Sequence, residues 1–444
     1  MRTDNETRDA DTRPHVVIVG GGFGGLYAAN ALRRAPVRVT VIDRTNHSVF
    51  FPLLYQVATA GLSADEIASP IRTLLRRQRN AEVRMAEVTG VDSAQRAVLT
   101  SHGAIAYDYL ILATGTRYSY FGRPEWQRHA PSLKSIAEAA TIRDRILRAF
   151  ERAELSDDPQ EIQELLTFVL VGGGPTGVEM AGAIAELART GLADEFRRID
   201  PRQARIVLLE AGPRILSAFP EDLARKSLRA LERMGVEVRT GATVTDITAE
   251  GVAVGPEWIA SRTVIWTAGV VASPAGAWLR AETDRIGRVK VAPDLSVPGQ
   301  PDIFVVGDAA YVEQDGRALP GVAQVALQEG AYAAKVIRHR VQGKAAPKPF
   351  RYWDPGNMAT VGRAFAIGDF GWLRTSGFLT WLFWLALHVY YLSGLRNQLQ
   401  VLLQWTWAYF TYKRNVRVLG AEHHAAPADQ PALAPAEVPV SRGR

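Results

Sequence analysis

Two glycine-rich turns about 150 positions apart constrain this chain more than any other feature. In the first, the apolar run His15–Val19 leads into Gly20-Gly21-Gly22-Phe23-Gly24-Gly25. In the second, Phe168–Val171 leads into Gly172-Gly173-Gly174-Pro175-Thr176-Gly177. Each apolar run reads as a buried parallel strand. Gly20 and Gly172 permit the tight turn, Gly22 and Gly174 let the backbone approach a pyrophosphate, and Gly25 and Gly177 let the next helix pack on the strand. That helix offers free N–H groups and a positive dipole end to the phosphates. The following strand ends in an acid each time, Asp43 after Val37–Ile42 and Glu210 after Arg205–Leu209, placed to accept from ribose hydroxyls.

One such unit is a weak signal. Two, each with strand, turn, helix, strand and acid in order, predict two nucleotides held face to face, the layout for passing a hydride from a nicotinamide to a flavin. Tyr109–Leu112 with Gly115, and Thr263–Trp266 with Gly269, form a second repeated strand-turn pattern. The chain then returns in Asp302–Val306 with Gly307 and Asp308, so the second lobe reads as inserted into the first. The lobes divide as 14–118 for the first part of lobe one, 119–289 for lobe two with a linking helix near 133–153, and 290–345 for the second part of lobe one.

Composition narrows the chemistry. The 444 residues include no Cys, which excludes disulfides, iron–sulfur clusters, thiolate metal sites and any redox-active Cys pair. The eight His show no metal-ligand spacing, so no metal is expected. The net charge of +6 favours anionic surfaces without selecting nucleic acid, and no nucleic-acid motif occurs. Residues 1–13 are polar and charged and 421–444 are rich in Ala and Pro; both are expected to be disordered.

Residues 346–420 differ in character: short strands are expected over 346–371, then an aromatic region with Trp372, Trp381, Trp384, Trp405 and Trp407. The run Phe378–Leu395 is apolar nearly all round and, as one helix, reaches roughly 27 Å, at the border of a span. In Asn397–Tyr412 the amides Asn397, Gln400 and Gln404 with Thr411 share one side. Arg396 is the only formal charge between Thr375 and Tyr412, and Lys413, Arg414 and Arg417 follow. A wide apolar face with flanking cations describes helices lying in the headgroup region. A dimer interface, a buried hairpin or one transmembrane helix are the alternatives.

The chain resembles the type II, non-proton-pumping NADH:quinone oxidoreductases over roughly 14–420. The resemblance rests on Phe50–Leu62, Gly172–Glu179, Val306–Ala309 and Pro320–Gln328, and on the Trp-bearing C-terminal segment. It implies an α/β fold of two Rossmann-like dinucleotide-binding domains plus a C-terminal membrane-associated helical region. Lobe one would hold non-covalent FAD through Gly20, Gly22, Gly25, Asp43 and Asp308. Lobe two would hold NADH through Gly172, Gly174, Gly177 and Glu210, and Gly115, Gly269 and Gly307 would also bind cofactor. Glu179 would sit near nicotinamide and flavin, unless it is simply a first-turn acid on its helix. Gln324 and Gln328, four apart on one helix face, would line the path of a membrane quinone, ubiquinone or menaquinone, unless they are surface amides. Glu329 stands where many members carry a second Gln. The implied place is the cytoplasmic face of the inner membrane, monotopic, against an anionic lipid surface, with a homodimer left open. A soluble NAD(P)H:ferredoxin-type flavoprotein reductase has the same two-nucleotide layout and is the alternative; it would not need the C-terminal helices.

Overall fold

In the computed structural model, residues 12–392, 394–411 and 416–419 are described. The first apolar run forms β1 (His15–Val19), buried along its whole length, and passes through Gly20–Gly22 into α1 (Phe23–Ala31). Parallel partners follow as β2 (Arg38–Asp43), β3 (Ala81–Met85) and β4 (Tyr109–Leu112), with Ile18 opposite Val41 on one side and Ile111 on the other. A short strand, β5 (Thr116–Tyr118), leaves this lobe. The linking helix α2 (Ile136–Leu155) starts at Ser135, whose Oγ accepts the Glu138 N–H, the acceptor that such an N-cap supplies. Ala139, Ile142, Ile146 and Phe150 then recur at helical spacing on its buried face.

Lobe two repeats the plan. It comprises β6 (Thr167–Val171), α3 (Pro175–Glu186), β7 (Arg205–Glu210), β8 (Val236–Thr240) and β9 (Thr263–Trp266), in the sheet order β8-β7-β6-β9. A second short strand, β10 (Val270–Ala272), pairs antiparallel with β5, so two strands carry the chain between the lobes. The chain then re-enters the first sheet through β11 (Ser296–Val297) and β12 (Gln300–Val305), with Ile303 beside Leu110. That sheet runs β11-β12-β4-β1-β2-β3. The long helix α4 (Ala323–Val341) lies on α1 so closely that a Cβ on Gly330 would stand 2.1 Å from the Gly24 carbonyl oxygen.

The C-terminal part is an antiparallel sheet, β13 (Asn357–Thr360), β14 (Ala366–Asp369) and β15 (Arg374–Gly377), followed by α5 (Phe378–Tyr391) and α6 (Leu395–Thr411). The chain just after β13 covers α3, with the Gly362 nitrogen 2.7 Å from where a Cβ on Gly182 would sit. Here the sequence expectation needs correcting. The apolar run is not one eighteen-residue helix: α5 stops at Tyr391, Leu392 is extended, and Gly394 takes a φ of +92°. Among the described residues no helix is long and apolar enough to cross a membrane. Three of the five tryptophans are packing residues: Trp384 is 2% exposed within the cluster around Phe50 and Leu54, Trp381 packs against that cluster, and Trp405 packs there too and donates to Gln56. Arg417 is no loose cation, since it donates to the Gly191 carbonyl and pairs with Glu195. Residues 1–11, 412–415 and 420–444, which include Lys413, Arg414 and most of the expected disordered lead and tail, lie outside the described residues.

Candidate active site

The two glycine turns are built on the same plan. Gly20 has a φ of +106° and Gly172 one of +114°, a region that a side chain disfavours. A Cβ on Gly25 would lie 1.8 Å from the Gly20 carbonyl oxygen, and one on Gly177 1.9 Å from that of Gly172, so each helix sits directly against its turn. At Gly22 and Gly174, the N-caps of α1 and α3, an added Cβ would meet no protein atom within 4 Å. The turns are closed where the protein packs and open where a phosphate would sit.

The acids at the ends of β2 and β7 are engaged in parallel ways. Asp43 accepts from the Gly21 N–H at 2.7 Å and, on its other oxygen, from the Thr45 N–H and hydroxyl. Glu210 accepts from the Gly173 N–H at 2.6 Å and the Gly212 N–H at 2.7 Å. These bonds fix each carboxylate beside its glycine turn and leave acceptor capacity on the Asp43 oxygen that meets Gly21 and on both oxygens of Glu210. The two cations that flank Glu210 in sequence are committed elsewhere. Arg205 pairs with Glu237, and Arg214 donates to the Leu216, Ser217 and Phe219 carbonyls.

Between the lobes, Asp308 lies on a single 3-10 turn (Gly307–Ala309) that follows β12. The Thr116 hydroxyl donates to Asp308 at 3.3 Å, and the Lys134 ammonium donates to Thr116 at 3.1 Å and lies over the Tyr118 ring. Beneath this turn is Glu329, 1% exposed, whose carboxyl accepts the Gly307 N–H at 2.5 Å. Burial, reinforced by the neighbouring Asp308 charge, pushes Glu329 up to about 8, against weaker opposing pulls from that N–H and from Arg288. Glu329 therefore faces the Asp308 turn from the buried side of α4, away from the face that carries Gln328.

Glu179 stands in the second turn of α3, where surrounding protein pushes its carboxyl up to about 8. The Thr360 N–H of β13 donates to it and opposes part of that rise. Gln328 is clipped in both directions to the main chain of Trp353: its amide donates to the carbonyl at 2.8 Å and accepts from the N–H at 3.0 Å. Gln324, one turn earlier, has no such clip among the described residues. His388 of α5 packs beside Phe50. Its ring stacks on Trp384 at 4.0 Å and meets Phe50 edge-on, Phe50 in turn meets Phe23 at the start of α1, and burial pushes the imidazole down to about 4.

The sequence pattern thus brings Gly20, Gly22, Gly25, Asp43, Gly115, Gly307 and Asp308 to one lobe's rim, and Gly172, Gly174, Gly177, Glu210 and Gly269 to the other's. It missed Thr116, Lys134 and His388, which have no motif, and the part taken by Glu329. The signal for Glu329 was present: an acid in register with the buried Val325 and Ala333 falls on the core side of its helix.

The model of the pyridine nucleotide-disulphide oxidoreductase family matches residues 14–330. The sequence is 46% identical to the type II NADH:quinone oxidoreductase Ndh of Mycobacterium tuberculosis, over 92% of this chain and 90% of that one. It is 45% identical to NdhA of the same organism, over 88% and 86%. The solved structure of NDH2 from Plasmodium falciparum in complex with NADH superposes with a TM-score of 0.83 at 19% identity, covering 91% of this chain and 99% of that one. That last likeness is one of fold.

Proposed function

This chain belongs to the type II NADH:quinone oxidoreductases, and from that premise we propose how its residues divide the work. The reaction oxidises NADH and reduces a quinone, and bound FAD supplies the two-electron relay between them. The observation that carries the reading is the pair of matching cradles, each closed by packing at its first and third glycines and open at its second.

Gly20, Gly22, Gly25 and Asp43 hold the adenosine half of FAD. Gly115, Gly307 and Asp308 hold the remainder, with Thr116 and Lys134 fixing the carboxylate of Asp308. Gly172, Gly174, Gly177, Glu210 and Gly269 hold NADH. Positioning the nicotinamide at van der Waals distance is the protein's main contribution to hydride transfer. Glu179, kept protonated near neutrality by burial, offers a neutral hydrogen-bonding group rather than a charge beside the reacting rings. Gln324 and Gln328 face the quinone, with Gln324 the amide that has bonding capacity to spare.

The same chain rests on a lipid surface without crossing it. Leu379, Leu382, Phe383, Ala386 and Tyr390 line one exposed face of α5, and Leu399, Leu402, Leu403 and Trp407 line one of α6. Asn397 meanwhile turns inward and donates to the Ala68 carbonyl. That arrangement, with polar groups inward and leucines outward, suits a helix pair lying in the headgroup region on the side of the membrane where NADH is found, the cytoplasmic face. A second copy seated on this face is the competing occupant.

The deciding experiment is rapid mixing of the purified yellow protein with NADH under anaerobic conditions, followed by a short-chain quinone. The flavin absorbance should bleach with NADH and return with quinone. Flavin that NADH does not bleach, or that quinone does not restore, refutes the assignment.

A further inference from the structure

The two strands that join the lobes are related by an approximate twofold. Gly115 precedes β5 and its carbonyl accepts the Ser273 N–H at 3.0 Å; Gly269 precedes β10 and its carbonyl accepts the Ser119 N–H at 3.3 Å. Both glycines have nearly the same backbone, with φ of +65° and +64°. Their surroundings differ in one respect. A Cβ on Gly115 would meet no protein atom within 4 Å, whereas one on Gly269 would lie 2.4 Å from Cζ of Phe121. An aromatic ring lies on Gly269 where its counterpart is open.

The ring is held there against local preference. Phe121 has a φ of +51° and Gly122 one of +86°, and the Arg123 N–H donates to the Tyr120 carbonyl at 3.0 Å. Positive φ at both central residues marks a type I′ turn, in which Asn or Gly is favoured first and a bulky ring is not. Phe121 is also 68% exposed, so burial does not account for it. Its ring meets Trp266 edge-on at 5.9 Å, and Trp266 is itself fixed by donating to the Ser119 carbonyl at 3.0 Å. An exposed side chain kept in a strained backbone is the kind of outlier that points to function.

Gly269 ends the turn that walls the dinucleotide crevice. Thr267 donates to the Gly172 carbonyl at 2.9 Å, and the Ala268 nitrogen stands 2.8 Å from the place of a Cβ on Gly172. We propose that Phe121 is an aromatic gate on the NADH crevice: its ring rests on Gly269 and must leave when the dinucleotide enters between the Gly172–Gly174 and Thr267–Gly269 turns. FAD, which stays, has no such ring over its own glycine; NADH, which comes and goes, does. The proposal rests on the assignment of NADH to lobe two.

The ring contact favours the closed form by about two- to tenfold, the strength typical of an edge-to-face pair. Removing it tightens apparent dinucleotide affinity by the same factor. The test is equilibrium titration of the oxidised, flavin-loaded protein with NAD+, read from the flavin spectrum, alongside flavin reduction by NADH. Phe121→Asn suits the turn and lacks the ring; it should bind NAD+ about two- to tenfold more tightly, lower the KM for NADH, and leave the limiting reduction rate alone. Phe121→Tyr, which keeps the ring, should match the wild type. Phe121→Ala reports the same loss of the ring should the Asn variant fold poorly. Unchanged or weakened NAD+ binding in the ring-less variants overturns the gate. If NADH fails to bleach the wild-type flavin, the assignment of lobe two falls first and the gate with it.

Discussion

In the proposed assignment Glu210 would meet the ribose end of the dinucleotide, with a carboxylate already set by two backbone N–H groups. A 2′-phosphate there would face a like charge, which costs on the order of 1–4 kcal/mol at about 4 Å for effective dielectrics between water and a protein surface. Arg205 and Arg214, the cations that would relieve it, are held by Glu237 and by three carbonyls. The wild type should therefore prefer NADH to NADPH by tenfold or more in kcat/KM, and Glu210→Gln should narrow the gap; equal turnover of both by the wild type contradicts this. The glutamines separate at the same scale. Gln324→Leu should slow reoxidation of the flavin by quinone several-fold and spare its reduction by NADH. Gln328→Leu should in addition lower the melting temperature, because it breaks two hydrogen bonds to Trp353, each worth about 0.5–1.5 kcal/mol. Stopped-flow traces in which the Gln324 variant is slowed only in the NADH step would move that residue to the nicotinamide side.

At the scale of the element, pH acts on the packing of α4 under the Asp308 turn. Burial places Glu329 near 8 against an ordinary value of 4.5. Through that window the folded protein keeps a proton that the unfolded chain has released. The stability this acid contributes is thus full below about 4.5, falls as pH rises through 8, and levels above it. Glu329→Gln keeps an acceptor for the Gly307 N–H and cannot ionise. Its melting temperature should gain on the wild type as pH goes from 5 to 8, by a few degrees at the upper end, on the order expected for a domain-sized unit. Parallel melting curves across that range would count against a buried, protonated Glu329.

At the scale of the molecule, the C-terminal helices have one face in the core and one face exposed. Trp384 and Val401 enter the core, and β13 covers Glu179, so cutting the chain before Trp372 would open the interior rather than free a detachable anchor. The informative change is on the outer face, where Leu379 is 78% and Leu403 68% exposed. The double variant Leu379→Glu, Leu403→Glu should keep its FAD and oxidise NADH with a water-soluble acceptor. It should leave liposomes of anionic lipid in a flotation assay, and lose activity with a membrane-bound quinone. A variant that still floats with the lipid shows that these faces do not hold the membrane; one that changes only its sedimentation size shows that they bind a second copy.

The sequence by itself determined the two nucleotide units and their acids. A glycine turn between a β-branched run and a helix is a local solution to binding a phosphate, and its spacing is written in consecutive residues. The return of Ile303 to the side of Leu110 followed from a repeated strand pattern and was equally legible. The length of α5 was not, because an apolar run does not reveal where Leu392 and Gly394 will turn. Nor was the direction of Gln328, Glu329 and Phe121. Adjacent residues on one helix, Gln328 and Glu329 went to opposite sides: one to the Trp353 backbone, the other beneath Gly307. Phe121 came to lie on a glycine 148 positions away in the chain, since Gly269 is its neighbour only once β5 and β10 pair. Contacts between distant segments depend on packing geometry, which no window of sequence contains.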